Sequence, residues 1–342
     1  MEISVSIIVP IYNIEPYIKR ALVSVYTQNY KDIEIIIVDD CGKDNSISVA
    51  RSVAKQYPER KTTFVKHDYN KGLSVARNSG MAVAHGDYIF FLDGDDELPQ
   101  TAISNLLMVA RSNGMPDIVV GLIRNTQGTE TTTVADYVDR DFSSFPTLLE
   151  GNNDIVLEMF DYSAKNNIPP TAQNKLYRSD FLKKHSLYFL PNIIHEDEKF
   201  LIDISCYINT IGFLNKVTYI RYINANSIIT SLSNTRSMEN WLEIIRNSYS
   251  SIEFSRPLLR ISYLMKEIEN KYLELPKEAT NVALKAKRNL YQLSIMALRK
   301  RSFCLFLSPL FLLALPFRVS HFSYVNRRLK EYYSWKKILK YT

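Results

Sequence analysis

Through residue 125 the chain alternates between short apolar runs and longer amphipathic stretches. The apolar runs are rich in β-branched residues, as expected of strands buried on both faces, and they predict strands at residues 5–9, 33–38, 63–66, 88–92 and 118–123. The stretches between them place apolar residues at helical spacing and predict helices at residues 15–28, 45–57, 74–84 and 101–113. Strands that alternate with helices of about 10–15 residues are typical of a mostly parallel central sheet with helices on both faces, so the predicted fold class is α/β.

Beyond residue 125 the pattern is less regular. In chain order it predicts a hairpin or excursion loop over residues 129–140, helical structure over 153–185, a helix at 196–206 and a hairpin over 211–223 that turns at Asn215. From about residue 235 the pattern predicts helices only. We therefore place a domain boundary near residue 232, between a domain at 1–232 and a helical C-terminal region at 233–342.

The net charge of +6 is unevenly distributed along the chain. Residues 285–342 hold 13 Lys and Arg side chains and one acidic residue, Glu331, which leaves 29 basic and 35 acidic groups in residues 1–284, a net charge of −6. A basic end of this kind indicates contact with a polyanion, either an anionic membrane or nucleic acid. The net negative charge of residues 1–284 argues against nucleic-acid binding by that part of the chain.

Within this basic tail, residues 302–317 carry no charge and are flanked by Lys300-Arg301 and Arg318. The run of 16 residues is shorter than the ~20 that a membrane-spanning helix needs, and Pro309 and Pro316 interrupt it. Basic flanks around an apolar and aromatic segment favour a helix that lies in the inner face of the cytoplasmic membrane; packing against the body and re-entrant insertion are the alternatives. The uncharged centre favours lipid over nucleic acid, so we expect no nucleic-acid partner.

The cysteines and the N-terminus indicate a compartment. Cys41, Cys206 and Cys304 are odd in number and far apart, which offers neither a disulfide framework nor metal-ligand spacing. The first residues lack a basic segment followed by an apolar one, so no signal peptide is predicted. Together with the basic tail, these features predict a cytoplasmic protein that associates peripherally with the cytoplasmic membrane.

Two acidic clusters follow predicted strands. Asp39-Asp40 ends the second strand, and Asp93-Gly94-Asp95-Asp96 ends the fourth. Because the carboxyl ends of parallel strands meet at one edge, both clusters should line a ligand crevice, where their mutual repulsion favours a hard divalent cation such as Mg²⁺ or Mn²⁺. The alternative is a polar turn that caps the helix after Pro99. The chain has no Gly-x-Gly-x-x-Gly and no phosphate loop ending in Gly-Lys-Ser/Thr, which speaks against a dinucleotide dehydrogenase and a Walker-type NTPase.

Five segments carry a resemblance to a known family. In chain order they are VSIIVPIYN at residues 5–13, IIVDD at 36–40, NKGLSVARNSG at 70–80, YIFFLDGDD at 88–96 and HEDEKF at 195–200. Together, across roughly residues 4–230, they resemble the motifs of the family 2 glycosyltransferases, inverting enzymes of the GT-A (Rossmann-like) fold, in particular those of bacterial cell-surface polysaccharide synthesis. The sequence departs from the family at Cys41-Gly42, where Gly-Ser or Asn-Ser is commoner.

The resemblance implies which residues bind the donor. Pro10 and Tyr12 would line the pocket for the nucleotide base, and Asp40 would accept the imide hydrogen of uracil, since an ionised carboxylate only accepts hydrogen bonds. Asp93 would hold the ribose, and Arg77 would contact the nucleotide. The alternatives are a helix cap formed by the Asp pair after the second strand and a surface salt bridge for Arg77.

The resemblance also implies the groups that act in the reaction. Asp95, with Asp96 as a helper, would bind Mn²⁺ or Mg²⁺, which neutralises charge on the departing diphosphate. Asp197 would be the general base that takes the proton of an acceptor hydroxyl. Arg221 and Ser227 would close over the diphosphate, Arg221 as a charge and Ser227 as a donor. The alternatives are an acidic helix N-terminus around Asp197 and polar hairpin ends at Arg221 and Ser227.

These expectations combine into a function. The sequence predicts a metal-dependent inverting hexosyl- or N-acetylhexosaminyltransferase that uses a nucleotide sugar, expected to be a UDP-sugar. The acceptor would be a hydroxyl of a glycan or lipid-linked glycan. Two rivals stay open, a nucleotide-sugar-binding scaffold without turnover and a nucleotidyltransferase, although the second class usually has a Gly-rich basic loop after its first strand, where this chain has Pro10-Ile11-Tyr12-Asn13.

Overall fold

The computed structural model describes residues 2–129, 132–138, 141–150, 171–205 and 207–223, and four residues beyond them, Asn240, Glu243, Ile244 and Asn247. The chain divides into two compact units, Met1–Thr230 and Ser231–Thr342. Several predictions lie outside the described residues: the helical structure at 153–170, the role of Ser227, the helices beyond 250 and the basic tail at 285–342. The division at residue 232 into a donor and acceptor domain and a membrane-associated region therefore stays a prediction.

The described part of the first unit contains nine strands and six helices. The strands are β1 (Val5–Ile11), β2 (Ile33–Asp39), β3 (Lys61–Lys66), β4 (Tyr88–Phe91), β5 (Ile118–Thr129), β6 (Thr132–Val138), β7 (Leu148–Glu150), β8 (Lys175–Arg178) and β9 (Thr210–Ile223). The helices are α1 (Glu15–Tyr26), α2 (Ser46–Ala54), α3 (Leu73–Ala82), α4 (Ala102–Ser112), α5 (Ser179–Lys184) and α6 (Glu196–Ile204). Of the helices described, none combines the length and the apolar character that crossing a bilayer requires.

The strands form one mixed sheet in the order β3-β2-β1-β4-β8-β5-β9-β7, with β6 paired to β5. The first four strands of this order are parallel, and Val5 of β1 lies opposite both Ile33 of β2 and Tyr88 of β4. β8 runs antiparallel to β4 and to β5, and β9 runs parallel to β5. The predicted α/β class is confirmed, and the parallel half brings the carboxyl ends of β1, β2 and β4 to one edge.

Helices cover both faces of the sheet, because successive residues of a strand point to opposite faces. Ile7 of β1 belongs to one apolar cluster with residues of α1, α2 and α4, whereas Ile8 belongs to a second cluster with residues of α3, α5 and α6. All residues of β1 and β2 are buried, which explains why these strands are continuous apolar runs in the sequence. At Gly80 helix α3 lies so close to β1 that a Cβ atom would come within 2.4 Å of Cγ2 of Ile8, so this helix position requires glycine.

Strand β8 corrects one prediction. The helical structure expected over residues 153–185 is replaced at Lys175–Arg178 by a strand inserted between β4 and β5. A strand of four residues is too short for its period to be read in sequence, and its burial is set by neighbours that are far away along the chain. Residues 129–140, for which a hairpin or a loop was expected, contribute β6, which pairs antiparallel with β5.

Strand β9 corrects another prediction. A hairpin was expected over residues 211–223, with its turn at Asn215, but this segment is one strand. Its pairing with β5 shifts register between Phe213 and Val217, where β9 has more residues than the strand it faces. Asn215 therefore lies in a bulge, which interrupts the alternation of the strand much as a turn would.

Glu34 of β2 is a buried carboxylate near the start of the strand, away from the acidic edge. It accepts hydrogen bonds of 2.6 Å each from the Ser6 hydroxyl, the Lys61 ammonium and the backbone N–H of His85. Burial alone would raise its pKa, but these three donors outweigh burial and lower the pKa of Glu34 to about 2. The folded state therefore stabilises the ionised form of the Glu34 side chain.

The Glu34 site predicts how stability depends on pH. Because the pKa is lower in the folded than in the unfolded chain, the stabilisation is complete above pH ~4.5 and is lost as the pH falls towards 2. Glu34→Gln is expected to lower the free energy of unfolding by about 2 kcal/mol at pH 7 and to flatten its decline between pH 4.5 and 3. Urea unfolding across this range measures both effects, with the exposed Glu59→Gln as the control. If the free energy of unfolding of Glu34→Gln declined between about pH 4.5 and 3 as steeply as that of the unchanged protein, the low pKa of Glu34 would be contradicted.

Candidate active site

The two acidic clusters lie at the edge of the sheet where the parallel strands end. The backbone N–H of Asp40, just after β2, donates to the carbonyl of Ile11 at the end of β1 (3.0 Å). Residues 93–96 follow β4, which pairs with the other side of β1. The prediction that both clusters share one edge is confirmed by this topology.

Arg77 of α3 joins this edge to the acidic segment at the start of α6. Its side chain is fully buried, and Nη2 donates to Asp93 Oδ1 (2.9 Å). Nη1 donates to Glu196 Oε1 (2.9 Å) and to Asp197 Oδ1 (2.5 Å). The guanidinium also lies 5.1 Å from the ring centre of Phe189. One cation thus gathers the carboxylate of Asp93 and two carboxylates of α6, which lies 119–120 residues after Arg77 in sequence.

The electrostatics of this cluster follow from burial and from the shared cation. Burial alone would lower the pKa of Arg77, but the carboxylates of Asp197, Asp93 and Glu196 raise it further above its already high usual value. Burial, followed by the neighbouring Asp197 carboxylate, raises the pKa of Glu196 to about 7. Glu196 therefore takes up a proton at a higher pH than an exposed glutamate does.

The acidic segment begins helix α6. Glu196, Asp197 and Glu198 form its first turn, and His195 precedes them in the left-handed region with φ 67°. Acidic side chains at a helix N-terminus are stabilised by the helix dipole. The segment is therefore an acidic helix N-terminus, as the alternative interpretation predicted. The same position also directs Asp197 towards Arg77, beside the Asp93 carboxylate. The two explanations are compatible.

Gln173 is a residue of this cluster that the sequence did not single out. Its side-chain amide donates to Asp93 Oδ2, the carboxylate oxygen that Arg77 does not contact. The preceding loop is held by Lys175, a buried amine that donates to the Thr171 carbonyl (2.6 Å) and whose pKa burial lowers to about 7. The only sequence signal near Gln173 is the segment Asn174-Lys175-Leu176-Tyr177-Arg178, which resembles a family segment near the acceptor.

Asp40 is held by the loop that precedes α3. Oδ1 accepts from His67 Nδ1 (2.7 Å) and from the backbone N–H of Lys71 (2.8 Å), and Oδ2 accepts from the backbone N–H of Gly72 (2.9 Å). Gly72 has φ +86°, a conformation that favours glycine, which gives a reason for the glycine in the Asn-Lys-Gly segment. A carboxylate has about four acceptor positions, so the contacts among the described residues leave one position on Oδ2.

Asp96 lies in a setting that differs from the one expected. Oδ2 accepts from the Tyr219 hydroxyl (2.7 Å) and Oδ1 from the backbone N–H of Tyr222 (2.9 Å), both in β9. Burial, and then the carboxylates of Asp95 and Asp93, raise the pKa of Asp96 well above its usual value. These contacts fix the acidic loop to β9, and the role of Asp96 as a helper in metal binding stays a prediction.

The acidic edge of the sheet is the predicted site of a divalent cation. Mg²⁺ and Mn²⁺ prefer oxygen ligands and are commonly held by one or two carboxylates together with substrate phosphates. Among the residues that the structure describes, no group of three or more His, Cys, Asp or Glu side chains is arranged to hold a metal ion alone. Asp95, partly exposed between Asp93 and Asp96, is the carboxylate that would hold such an ion jointly with a diphosphate.

Three other residues predicted to bind the nucleotide-sugar donor, Pro10, Tyr12 and Arg221, lie at or near the same edge. Pro10 is buried within β1, and Tyr12, just beyond the strand, is 43% exposed. Arg221 is an exposed residue near the end of β9. Ser227 lies outside the described residues. No contact tests these four assignments, which stay predictions.

Fold and site together define a glycosyltransferase of the GT-A type. The chain belongs to glycosyl transferase family 2, whose model matches residues 6–185. It is similar to the uncharacterised glycosyltransferase EpsJ of Bacillus subtilis (strain 168), with 31% identity over 229 residues. This match covers 66% of the chain and 62% of EpsJ, less than two thirds of the length of that relative.

Two solved structures have a similar fold. One is S. aureus TarS 1–349 in complex with UDP-GlcNAc, with a TM-score of 0.67, 17% identity and coverage of 96% of this chain and 92% of TarS. The other is the mannosyltransferase PcManGT from Pyrobaculum calidifontis in complex with GDP-Man and Mn²⁺, with a TM-score of 0.56, 16% identity and coverage of 95% and 84%. The family predicted from the sequence is confirmed by the family model, and the two solved structures agree with the predicted GT-A fold.

Proposed function

We propose that this protein transfers a hexosyl or N-acetylhexosaminyl group from a UDP-sugar to a hydroxyl of a glycan or lipid-linked acceptor, with inversion at the anomeric carbon, in cell-surface polysaccharide synthesis. The observation that carries the proposal is the contact of Arg77 with both Asp93 and Asp197. Arg77 thus links Asp93, at the strand end where the donor would lie, to Asp197, the carboxylate that would deprotonate the acceptor.

The donor would lie along the acidic edge of the sheet. Pro10 and the exposed ring of Tyr12 would contact the uracil base, and the remaining acceptor position of Asp40 would receive its imide N–H. Asp93, held on both oxygens by Arg77 and Gln173, would orient the ribose. In this arrangement Arg77 acts on the donor through Asp93.

The diphosphate would be held from two directions. Asp95 would hold Mn²⁺ or Mg²⁺ together with phosphate oxygens, and Asp96 would support that loop through its contacts with β9. The cation, when bound, stabilises the negative charge of the diphosphate leaving group. Arg221 and Ser227 would close over the diphosphate from the end of β9 and the segment beyond it.

Asp197 would be the general base. Its carboxylate takes the proton of the acceptor hydroxyl while the hydroxyl oxygen forms a bond to the anomeric carbon. The bond from that carbon to the diphosphate oxygen breaks, and its electron pair leaves with the diphosphate. Attack from the face opposite the nucleotide converts an α-linked donor into a β-linked product.

The acceptor would be presented at the inner face of the cytoplasmic membrane. Support comes from the sequence of the tail at 285–342, in which basic residues flank the uncharged run at 302–317. Such a segment binds anionic lipid surfaces by charge and by burial of apolar side chains. A lipid-linked glycan would be reached at that surface.

The donor proposal predicts a pattern of ligand stabilisation. UDP with Mn²⁺, at 100 times its dissociation constant, is expected to stabilise the protein by about 2.7 kcal/mol, whereas GDP and CMP give less. Thermal unfolding with each nucleotide, with and without Mn²⁺, measures this effect. Asp95→Ala is expected to remove the contribution of Mn²⁺, and Asp180→Ala, whose side chain is 79% exposed on α5, is the matched control.

Two outcomes would contradict this pattern. Stronger stabilisation by GDP than by UDP would mean that the base assignment of Asp40 is wrong. No response to any of the three nucleotides would remove the support for donor binding at this edge.

A further inference from the structure

His67 is a buried histidine that the mechanism above does not use. It follows β3 directly, and its side chain is 5% exposed. The ring lies between two partners: Nδ1 is 2.7 Å from Asp40 Oδ1, and Nε2 is 2.9 Å from the Ser79 hydroxyl of α3. The backbone N–H of His67 donates to the Asp39 carbonyl (2.9 Å), which also fixes the backbone that carries the ring.

The contact with Asp40 assigns the hydrogen on one nitrogen of this ring. Asp40, as a carboxylate, can only accept, so the hydrogen lies on Nδ1 and points to Oδ1. Nε2 shares the second hydrogen bond of the ring with the Ser79 hydroxyl, which can donate or accept. Helix α3, strand β3 and the end of β2 are thus linked through one imidazole to the carboxylate assigned to the base.

The contact with His67 restricts rotation of the Asp40 carboxylate about its Cβ–Cγ bond. The carboxylate torsion of an Asp side chain is broad, so its plane is set by hydrogen bonds and not by the side chain itself. His67 and the Lys71 N–H occupy Oδ1 from two directions, while Oδ2 receives the single bond from Gly72. The Oδ1 contacts therefore decide where the remaining acceptor position on Oδ2 points.

We propose that His67 is a positioning residue for recognition of the donor base, which holds Asp40 Oδ1 so that Oδ2 presents an acceptor to the imide N–H of uracil. The inference rests on the proposed function, since it takes the donor to be a uridine nucleotide. A fixed acceptor accepts the N–H of uracil but repels the ring nitrogen of cytosine, which is itself an acceptor at the equivalent edge. Specificity for the base then depends on a residue that does not touch it.

Substitutions at His67 separate a positioning role from a purely structural one. Asn places an amide nitrogen near the position of Nδ1 and can still donate to Asp40, whereas Gln reaches the position of Nε2 and Leu offers no donor. A hydrogen bond to a charged group corresponds to about 10-fold or more in binding. We expect His67→Leu and His67→Gln to weaken UDP binding about 10-fold and to reduce the ratio of UDP affinity to CDP affinity. We expect the UDP affinity of His67→Asn to stay within about 3-fold of that of the unchanged protein.

Isothermal titration of the full-length protein with UDP and CDP, in the presence of Mn²⁺, is the test. The proposal also requires that the KM for the donor rises in His67→Leu while kcat falls by less than about 3-fold, since the reacting groups lie elsewhere. Equal UDP affinity in His67→Leu and the unchanged protein would overturn it. If His67→Leu does not fold, the comparison of Asn with Gln decides, and equal affinity in those two variants overturns the proposal.

The same experiment separates this inference from the proposed function. Absence of UDP binding in the unchanged protein would contradict the proposed donor itself. UDP binding in the unchanged protein that persists in every His67 variant would contradict only the role of His67.

Discussion

Asp197→Asn is expected to slow sugar transfer about 10³-fold while leaving UDP binding unchanged. A general base contributes about 10²–10⁴-fold, and an amide cannot take the acceptor proton. The amide oxygen of Asn can still accept the hydrogen bond that Arg77 Nη1 gives to Asp197, so the fold of the cluster is retained. The loss should therefore appear in kcat and not in nucleotide affinity.

Release of UDP from a UDP-sugar in the presence of acceptor measures transfer, and titration with UDP and Mn²⁺ measures binding. Asp180→Asn makes the same chemical change at an exposed position and should leave both unchanged. Glu196→Gln alters the adjacent acid, which also contacts Arg77, and should cost far less than Asp197→Asn. Transfer within 10-fold of the unchanged protein in Asp197→Asn, combined with a large loss in Glu196→Gln, would move the base to Glu196.

The parallel half of the sheet could be predicted from the sequence because each of its features is local. Strands buried on both faces are apolar throughout, and the residues that end them can be read directly from the chain. Their arrangement follows from the handedness of the crossovers, which sends Asp39-Asp40 and the cluster at 93–96 to one edge. The positions of both acidic clusters needed no information beyond the order of the elements.

The contacts within the site could not be predicted in the same way. Arg77 was expected to contact the nucleotide or, as the alternative, to form a surface salt bridge. Its side chain is fully buried among carboxylates that include two from α6, which rules out the surface salt bridge, while contact with the nucleotide stays a prediction. Gln173 and His67 are single polar residues in segments without any periodicity that would mark them. Gln173, just before β8, finds its partner Asp93 only through long-range packing, and His67 contacts Asp40 and Ser79 only because β2, β3 and α3 pack together.

Asp96 illustrates the difference between neighbours in sequence and neighbours in space. Its place after Asp95 suggested that both carboxylates bind one cation. The chain turns between them, and Asp96 is directed at Tyr219 and at the backbone of Tyr222. The hydrogen-bond partners come from β9, more than a hundred residues later, and nothing near Asp96 in the sequence indicates them.

Arg77→Met is expected to lower the free energy of unfolding by about 3–5 kcal/mol at pH 7, the largest effect on stability that the site predicts. Met fills much of the same volume but leaves Asp93, Glu196 and Asp197 as buried carboxylates without their common cation. The loss should shrink as the pH falls from 7 to about 5. Over that range the raised pKa of Glu196 lets it take up a proton in the folded state, which removes one of the repelling charges.

Urea unfolding at pH 7 and pH 5 measures both the loss and its pH dependence. Arg51→Met, on the exposed face of α2 where the guanidinium lies over the ring of Phe64, is the matched control and should change stability by about 0.5 kcal/mol. Arg77→Lys keeps the charge but cannot reach Asp93 and Asp197 through two separate nitrogens. It should fold, bind UDP more weakly and lose transfer, because Asp197 and the ribose-binding carboxylate of Asp93 would no longer be held in place together. If Arg77→Met unfolds at the same urea concentration as Arg51→Met, the three carboxylates do not depend on Arg77, and the link between donor and base proposed above fails with it.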